Sequence, residues 1–273
     1  MKVAAVHWTS DVYKKITDER SLFTAMEKEL NKAQQQKVQL IVFPGFLGCL
    51  YAQITMEKFS EYLDMVYKFS KEFKVAICPG SYWEKTNNEC YHSTSIIKNG
   101  KLIVNQRQIY LAKWEQRIGL SRGIKLNTCQ LGKFNIGIMI STDNFYPQVG
   151  RALAKMGCDL VLSPIGLVGN YNEALQISGV HQKVQQNLFF AIECGFNGNV
   201  KGNSFWSSSS IHAPLLMTAE ERGYLCKSNS TPQLLTAELV HKDRLKAISN
   251  FNVLNHLNTE FYCKMKMFNG GIK

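Results

Sequence analysis

The stretch from Phe134 to Pro164, FNIGIMISTDNFYPQVGRALAKMGCDLVLSP, constrains the fold more than any other part of the chain. An apolar strand from Phe134 to Ile140 runs into a polar turn that opens at Ser141. A helix follows, and then a second apolar strand over Leu160 to Ser163. Val149, Ala152, Leu153 and Met156 stand at i, i+3, i+4 and i+7, a spacing that predicts one buried helical face. Gly157 stops that helix, as glycine does where the chain turns left-handed past a last turn. Strand, turn, helix, strand puts Ser141 at the carboxyl end of a strand. Folds built of strands and helices display a nucleophile there.

The rest of the chain reads in the same grammar. Val3 to Trp8 is a strand, and an amphipathic helix over residues 21–36 buries Leu22, Met26, Leu30 and Ala33. VQLIVF, from Val38 to Phe43, is continuously apolar, so this strand needs cover on both faces. A second helix spans about 56–73, with Phe59, Leu63, Val66 and Phe69 inward, and the strand Val75 to Cys78 follows. Helices between strands imply right-handed crossovers and parallel pairing. Asn99-Gly100 between two apolar runs marks a hairpin. Further on, a helix near Ser178 to Gln186 precedes a strand from Leu188 to Ile192. Short strands and turns fill 198–210 and 213–226, the strand LLTAELV starts at Leu234, and a last helix begins at His241. No repeat or linker interrupts this order, so residues 1–273 are expected to form one domain, with a basic arm from about Phe261.

Charge and cysteines exclude several classes. The formal net charge is +11, but no basic run exceeds two residues and no nucleic-acid-binding motif is present. Nucleic acid is therefore not an expected partner, while an acidic small ligand is compatible. No apolar run approaches the ~18 residues that span a bilayer, and MKVAAVHW lacks a signal peptide's apolar core, so no membrane partner and a cytoplasmic location are expected. Eight cysteines occur without a C-x-x-C pair, which argues against zinc and against a disulfide framework. No metal and no cofactor is expected.

Gly137, Ser141, Asp143, Pro147, Gln148, Arg151, Ala154, Gly157, Cys158, Asp159 and Leu160 fall on a G-x-x-x-C-x-D-x-x-x-P-E-x-x-R-x-x-A-x-x-G-A-D-L frame. In this the chain resembles the carbon–nitrogen hydrolase, or nitrilase, superfamily. KVAAVHW, VQLIVFP, Gln106 to Leu111, Lys183 to Asn187, Gly202-Asn203-Ser204 and LLTAELV are similar to further family segments, in the family's order. The resemblance implies an α/β fold, a four-layer α-β-β-α sandwich. It also implies a homodimer or larger assembly, paired through helices near 148–156 and 178–186, with Arg151 and Lys183 at or beneath that surface.

Family members use a Glu-Lys-Cys triad. A thiolate attacks the carbonyl or nitrile carbon, a carboxylate moves the proton, and an ammonium stabilises the developing oxyanion. The resemblance assigns those roles to Gly45, Gln108 and Ser141, and all three residues differ from the triad. It also implies pocket roles for Glu115, matching a second glutamate, and for Thr142 and Asp143. Read from the residues alone, Asp143 equally suits a helix N-terminus and Glu115 suits a solvated loop. His181 suits a helix surface, and Cys49 would be a relocated nucleophile only with a base beside it. A glycine in place of a glutamate leaves room beside Gly45. The expected function is that of a family-fold protein without amidase or nitrilase activity that binds a small amide, amine or carboxylate. The alternatives are an amidohydrolase with rearranged residues and a structural partner subunit of an active relative.

Overall fold

The computed structural model describes residues 1–56, 59–86 and 88–265. Two sheets carry the molecule. In the first, Gln233–Glu238, Lys2–His7, Leu40–Val42, Ala76–Cys78, Cys90–Lys98 and Tyr82–Lys85 lie side by side, and Lys101–Arg107 also pairs with Cys90–Lys98. In the second the order is Tyr224–Lys227, Ser210–His212, Phe190–Gly195, Leu160–Ile165, Phe134–Ile138 and Thr128–Leu131. The three central strands of each sheet are parallel and the outer pairings antiparallel. Parallel strands need crossover helices on their faces, which explains the continuous apolar runs at both centres.

Strand alternation separates the layers. On the second sheet, Leu160, Leu162 and Ile192 enter the core shared with Val6 and Ile41 of the first sheet. Val161 and Ala191 turn the other way, onto Val149, Leu153 and Val184 of the outer helices. On the first sheet the outer layer is Glu19–Gln35, burying Leu22, Met26, Leu30 and Ala33, and Phe59–Glu72. The architecture is the four-layer α-β-β-α sandwich. The two inner faces are also tied by polar contacts: the Cys194 thiol donates to the carbonyls of Val6 and Val42 at 2.9 and 3.1 Å.

Several expectations shift in detail. The helix expected over 56–73 is Phe59–Glu72, preceded by a separate helix, Leu47–Ile54. In Pro147–Lys155 the buried face is Val149, Gly150, Leu153 and Ala154, while Met156, just past its end, is 42% exposed. The helix expected near 178–186 starts earlier, as Glu173–Gln176, Ile177–His181 and Gln182–Asn187, and its backbone breaks at Gly179 (φ −82°, ψ −116°). The Asn99-Gly100 turn has both residues at positive φ, 51° and 70°, as a two-residue hairpin turn requires. Of the basic arm, Thr259–Met265 is helical, and residues 266–273 lie outside the described residues.

Candidate functional site

Gly45, Gln108, Ser141, Thr142 and Asp143 sit in turns just beyond strands, while Glu115 and Cys49 lie on the short helices Lys113–Arg117 and Leu47–Ile54. The strand Leu40–Val42 runs into Phe43-Pro44-Gly45, and the chain then takes a left-handed step at Phe46, φ 57°. Gly45 is packed hard against Leu160–Ile165. A Cβ on Gly45 would stand 2.7 Å from the backbone N, C and O of Ile165. The room expected beside Gly45 is therefore taken by main chain of the second sheet, because the two sheets close over this turn.

Phe46 fills the middle of the region. It is fully buried, with ring centroids 4.5 Å from Phe205, 4.7 Å from His92 and 5.8 Å from Trp114. Its ring lies on the Gly166 backbone, where a Cβ would meet it at 2.8 Å. The left-handed backbone of a bulky residue is unfavourable. What offsets it here is the burial of a whole aromatic ring together with the Phe46 N–H, which donates to the Ser81 hydroxyl at 2.8 Å.

That hydroxyl opens a buried polar chain. Ser81 Oγ is 2.6 Å from His92 Nε2, and His92 Nδ1 faces Glu115 Oε1 at 2.7 Å and also Gln108 Oε1. Both groups facing Nδ1 are acceptors, so Nδ1 carries the proton. Ser81 accepts from Phe46 and can donate onward to Nε2. The Gln108 amide nitrogen donates to the Tyr110 carbonyl at 2.8 Å and to Glu115 Oε2 at 3.0 Å. Glu115 Oε2 also accepts the Ala112 N–H at 2.7 Å. Ser81, His92, Gln108 and Glu115 are all fully buried. Every one of these bonds ends on protein, as a buried network must to be tolerated. Glu115 is thus neither a solvated loop charge nor an open pocket wall.

Ser141 stands just past the strand Phe134–Ile138 with φ 44°, a strained position for a residue with a side chain. Its hydroxyl donates to the Gly166 carbonyl at 3.4 Å, a weak contact and not one to an imidazole or a carboxylate. Asp143 is fully buried, and its carboxylate accepts the N–H groups of Ile109 (3.0 Å), Tyr110 (2.8 Å) and Ile140 (3.3 Å). It clamps the loop that carries Gln108 to the turn that carries Ser141. Burial pushes its carboxyl up to about 7, against the pull of those three N–H donors. Thr142 is half-buried beside it. Cys49 is fully buried, and burial, then the Glu115 carboxylate, raise its thiol well above the ordinary range. A relocated nucleophile there is not supported, since only a thiolate attacks.

The structure thus joins Gln108 to Glu115 and Asp143 to the Ser141 turn. Sequence reasoning missed His92, the hub, and Phe46, the plug. The available signal for His92 was faint: a histidine among small hydroxyl residues in YHSTS, ahead of the apolar Ile96 and Ile97.

Comparison with known proteins follows the same lines. A family model described as carbon-nitrogen hydrolase matches residues 2–239. A nitrilase of Pyrococcus abyssi is 25% identical over 202 residues, spanning 70% of this chain and 75% of that protein. An (R)-stereoselective amidase of Pseudomonas sp. is 24% identical over 160 residues, 56% of this chain and 57% of the relative. Among solved structures, a cysteine-to-serine mutant of the Nesterenkonia AN1 amidase, from the nitrilase superfamily, matches with TM-score 0.77 over 97% of both chains at 16% identity. A double mutant of the same amidase in complex with acrylamide matches with TM-score 0.77 at 16% identity, again over 97% of each chain. At such identity the likeness is one of fold.

Proposed function

Because the chain belongs to the carbon–nitrogen hydrolase family, we propose that it is a member that does not hydrolyse amides, carbamoyl compounds or nitriles. The observation that carries the reading is the buried Phe46 ring seated over a closed Ser81–His92–Glu115–Gln108 network. At the positions that the resemblance assigns to base, cation and nucleophile stand a glycine, a neutral amide and a hydroxyl whose partner is a backbone carbonyl. A serine hydroxyl attacks only with a strong base beside it. Losing one oxyanion stabiliser typically costs on the order of 10²–10³ in rate, and members of a triad act as a unit.

A small amide, amine or carboxylate would reach Gln108 and Glu115 only with Phe46 turned out of its seat. Emptying a site of that size costs about 3–5 kcal/mol, which lowers the apparent affinity by roughly 10²–10⁴. The test is turnover on an amide and nitrile panel together with intact-mass spectrometry after an activated ester. No product and no adduct is the expected result. An adduct on Ser141, with amide turnover lost in Ser141→Ala, would establish the rearranged hydrolase instead.

A second reading, that of a partner subunit, draws on the helices Pro147–Lys155 and Gln182–Asn187. There the Arg151 Nη1 and Asn187 Oδ1 atoms are buried without a hydrogen-bond partner, and Lys183 is buried with its ammonium pKa lowered by desolvation. These groups lie on the helices that the resemblance pairs with a second chain, which is what favours this reading. Sedimentation at micromolar concentration checks it: a dimer that Arg151→Ala weakens is expected, and a monomer would refute it.

A further inference from the structure

A second buried polar cluster lies on the opposite face of the second sheet, under the broken helix. Glu193 shares the helix-facing side of Phe190–Gly195 with Ala191, while Ile192 and Cys194 face the core. Strand register builds the floor: Glu193 stands opposite Ser210, and Ser210 opposite Lys227. The neighbouring row sets Ala191 opposite His212 and His212 opposite Tyr224.

Glu193 is 2% exposed. Its Oε2 lies 3.1 Å from His212 Nε2, but Oε1 has no hydrogen-bond partner, and neither has His212 Nδ1. A carboxylate oxygen left unpaired in the interior is costly. Glu193 lines a cavity of about 10 Å³, one water molecule in size, together with Gln176, Ser208, Ser210 and Tyr224. Gln176 is held there by Ser208, accepting its N–H at 3.1 Å and its hydroxyl at 3.0 Å. At the rim, Lys227 and Glu173 pair at 2.5 Å. Glu193 and Glu173 thus bring two carboxylates to the lining of this cavity, and Lys227 one ammonium. Tyr224 senses that field: burial, then the Glu193 and Glu173 carboxylates, push its phenol up to about 12. His181, against the rings of both His212 and Tyr224, directs its Nε2 to the Arg222 carbonyl at 2.9 Å.

We propose that this cavity binds one small N–H-donating cation, an ammonium ion or the head of a primary amine, held by Glu193 Oε1. Its size is that of a water molecule, its charge suits two carboxylates lined up against one ammonium, and its hydrogens suit a carboxylate and the serine hydroxyls. An alkali or divalent metal would want about six oxygens, and among the described residues no group of three metal-ligating side chains exists.

The test is the melting temperature of the full chain in ammonium, methylammonium, tetramethylammonium, sodium and potassium chlorides at equal ionic strength. Ammonium at about ten times its dissociation constant is expected to raise Tm by about 2–3 °C over tetramethylammonium, and Glu193→Gln, which keeps the shape, to abolish the rise. A matching rise with methylammonium assigns the site to an amine head, and its failure assigns the site to the free ion. Equal Tm in all salts, an equal rise in Glu193→Gln, or potassium acting as well as ammonium would overturn the proposal. Should Glu193→Gln not fold, NMR of ¹⁵N-ammonium with the natural protein decides. A bound signal in slow exchange supports the site, and its absence at saturating concentration rejects it.

Discussion

Phe46→Ala probes the feature on which the functional reading turns. The ring is fully buried and meets Phe205, His92, Trp114 and Phe196 at centroid distances of 4.5, 4.7, 5.8 and 6.0 Å. Phe-to-Ala changes in such sites cost about 3–5 kcal/mol, from lost transfer energy and the cavity left behind. Collapse is restricted here, because one wall is the Gly166 backbone and another is the His92 network, whose bonds fix its place. A value near 4 kcal/mol is therefore expected. At about 2.1 cal/mol/K per residue, a chain of 273 residues unfolds with roughly 0.6 kcal/mol/K, so Tm should fall by about 7 °C. Urea midpoints with an unchanged slope provide the free energy directly. The hole should also accept benzamide, whose ring replaces the phenyl group and whose amide reaches Gln108 and Glu115. Benzamide should then raise Tm in the variant and not in the natural protein. A loss below about 1 kcal/mol, or an equal benzamide response in the natural protein, would refute the closed site.

Gly45→Ala should destabilise by about 1–3 kcal/mol, since its Cβ meets the Ile165 backbone at 2.7 Å and main chain must move; calorimetry measures this. For the same reason the triple change Gly45→Glu, Gln108→Lys, Ser141→Cys should yield no acyl-enzyme by intact mass, and an adduct would show that the turn can open. Asp143 sets a pH dependence. Its carboxyl is raised from 3.8 to about 7, so the folded state binds the proton more tightly than the unfolded chain. That contribution is fully present below pH 4 and is lost as pH rises through 7, a span of roughly 4 kcal/mol. The stability of the natural protein relative to Asp143→Asn should fall across this window when followed by urea midpoints, and a constant difference would contradict the assignment.

Local pattern determined much of this protein. The apolar runs VQLIVF and DLVLS became the strands Leu40–Val42 and Leu160–Ile165, the 3.6-residue period placed Glu19–Gln35, and Asn99-Gly100 turned the hairpin. These depend on neighbours a few residues away, which one sequence displays in full. The resemblance to the family's motifs singled out Gly45, Gln108, Glu115, Ser141 and Asp143, because a motif is carried by order and spacing along the chain. What surrounds them depends on tertiary structure. The approach of Ile165 to Gly45, the seating of Phe46 on Phe205, and the bond from His92 to Glu115 join segments that meet only when the two sheets close. Likewise, Glu193 sits in an apolar-looking strand, AIECG, and its unpaired oxygen is set among Gln176, Ser208, Ser210 and Tyr224, which arrive from other segments. Periodicity decides which face a residue takes. Whether the space before that face is open, filled or lined with charge is decided by chain that arrives from elsewhere in the fold.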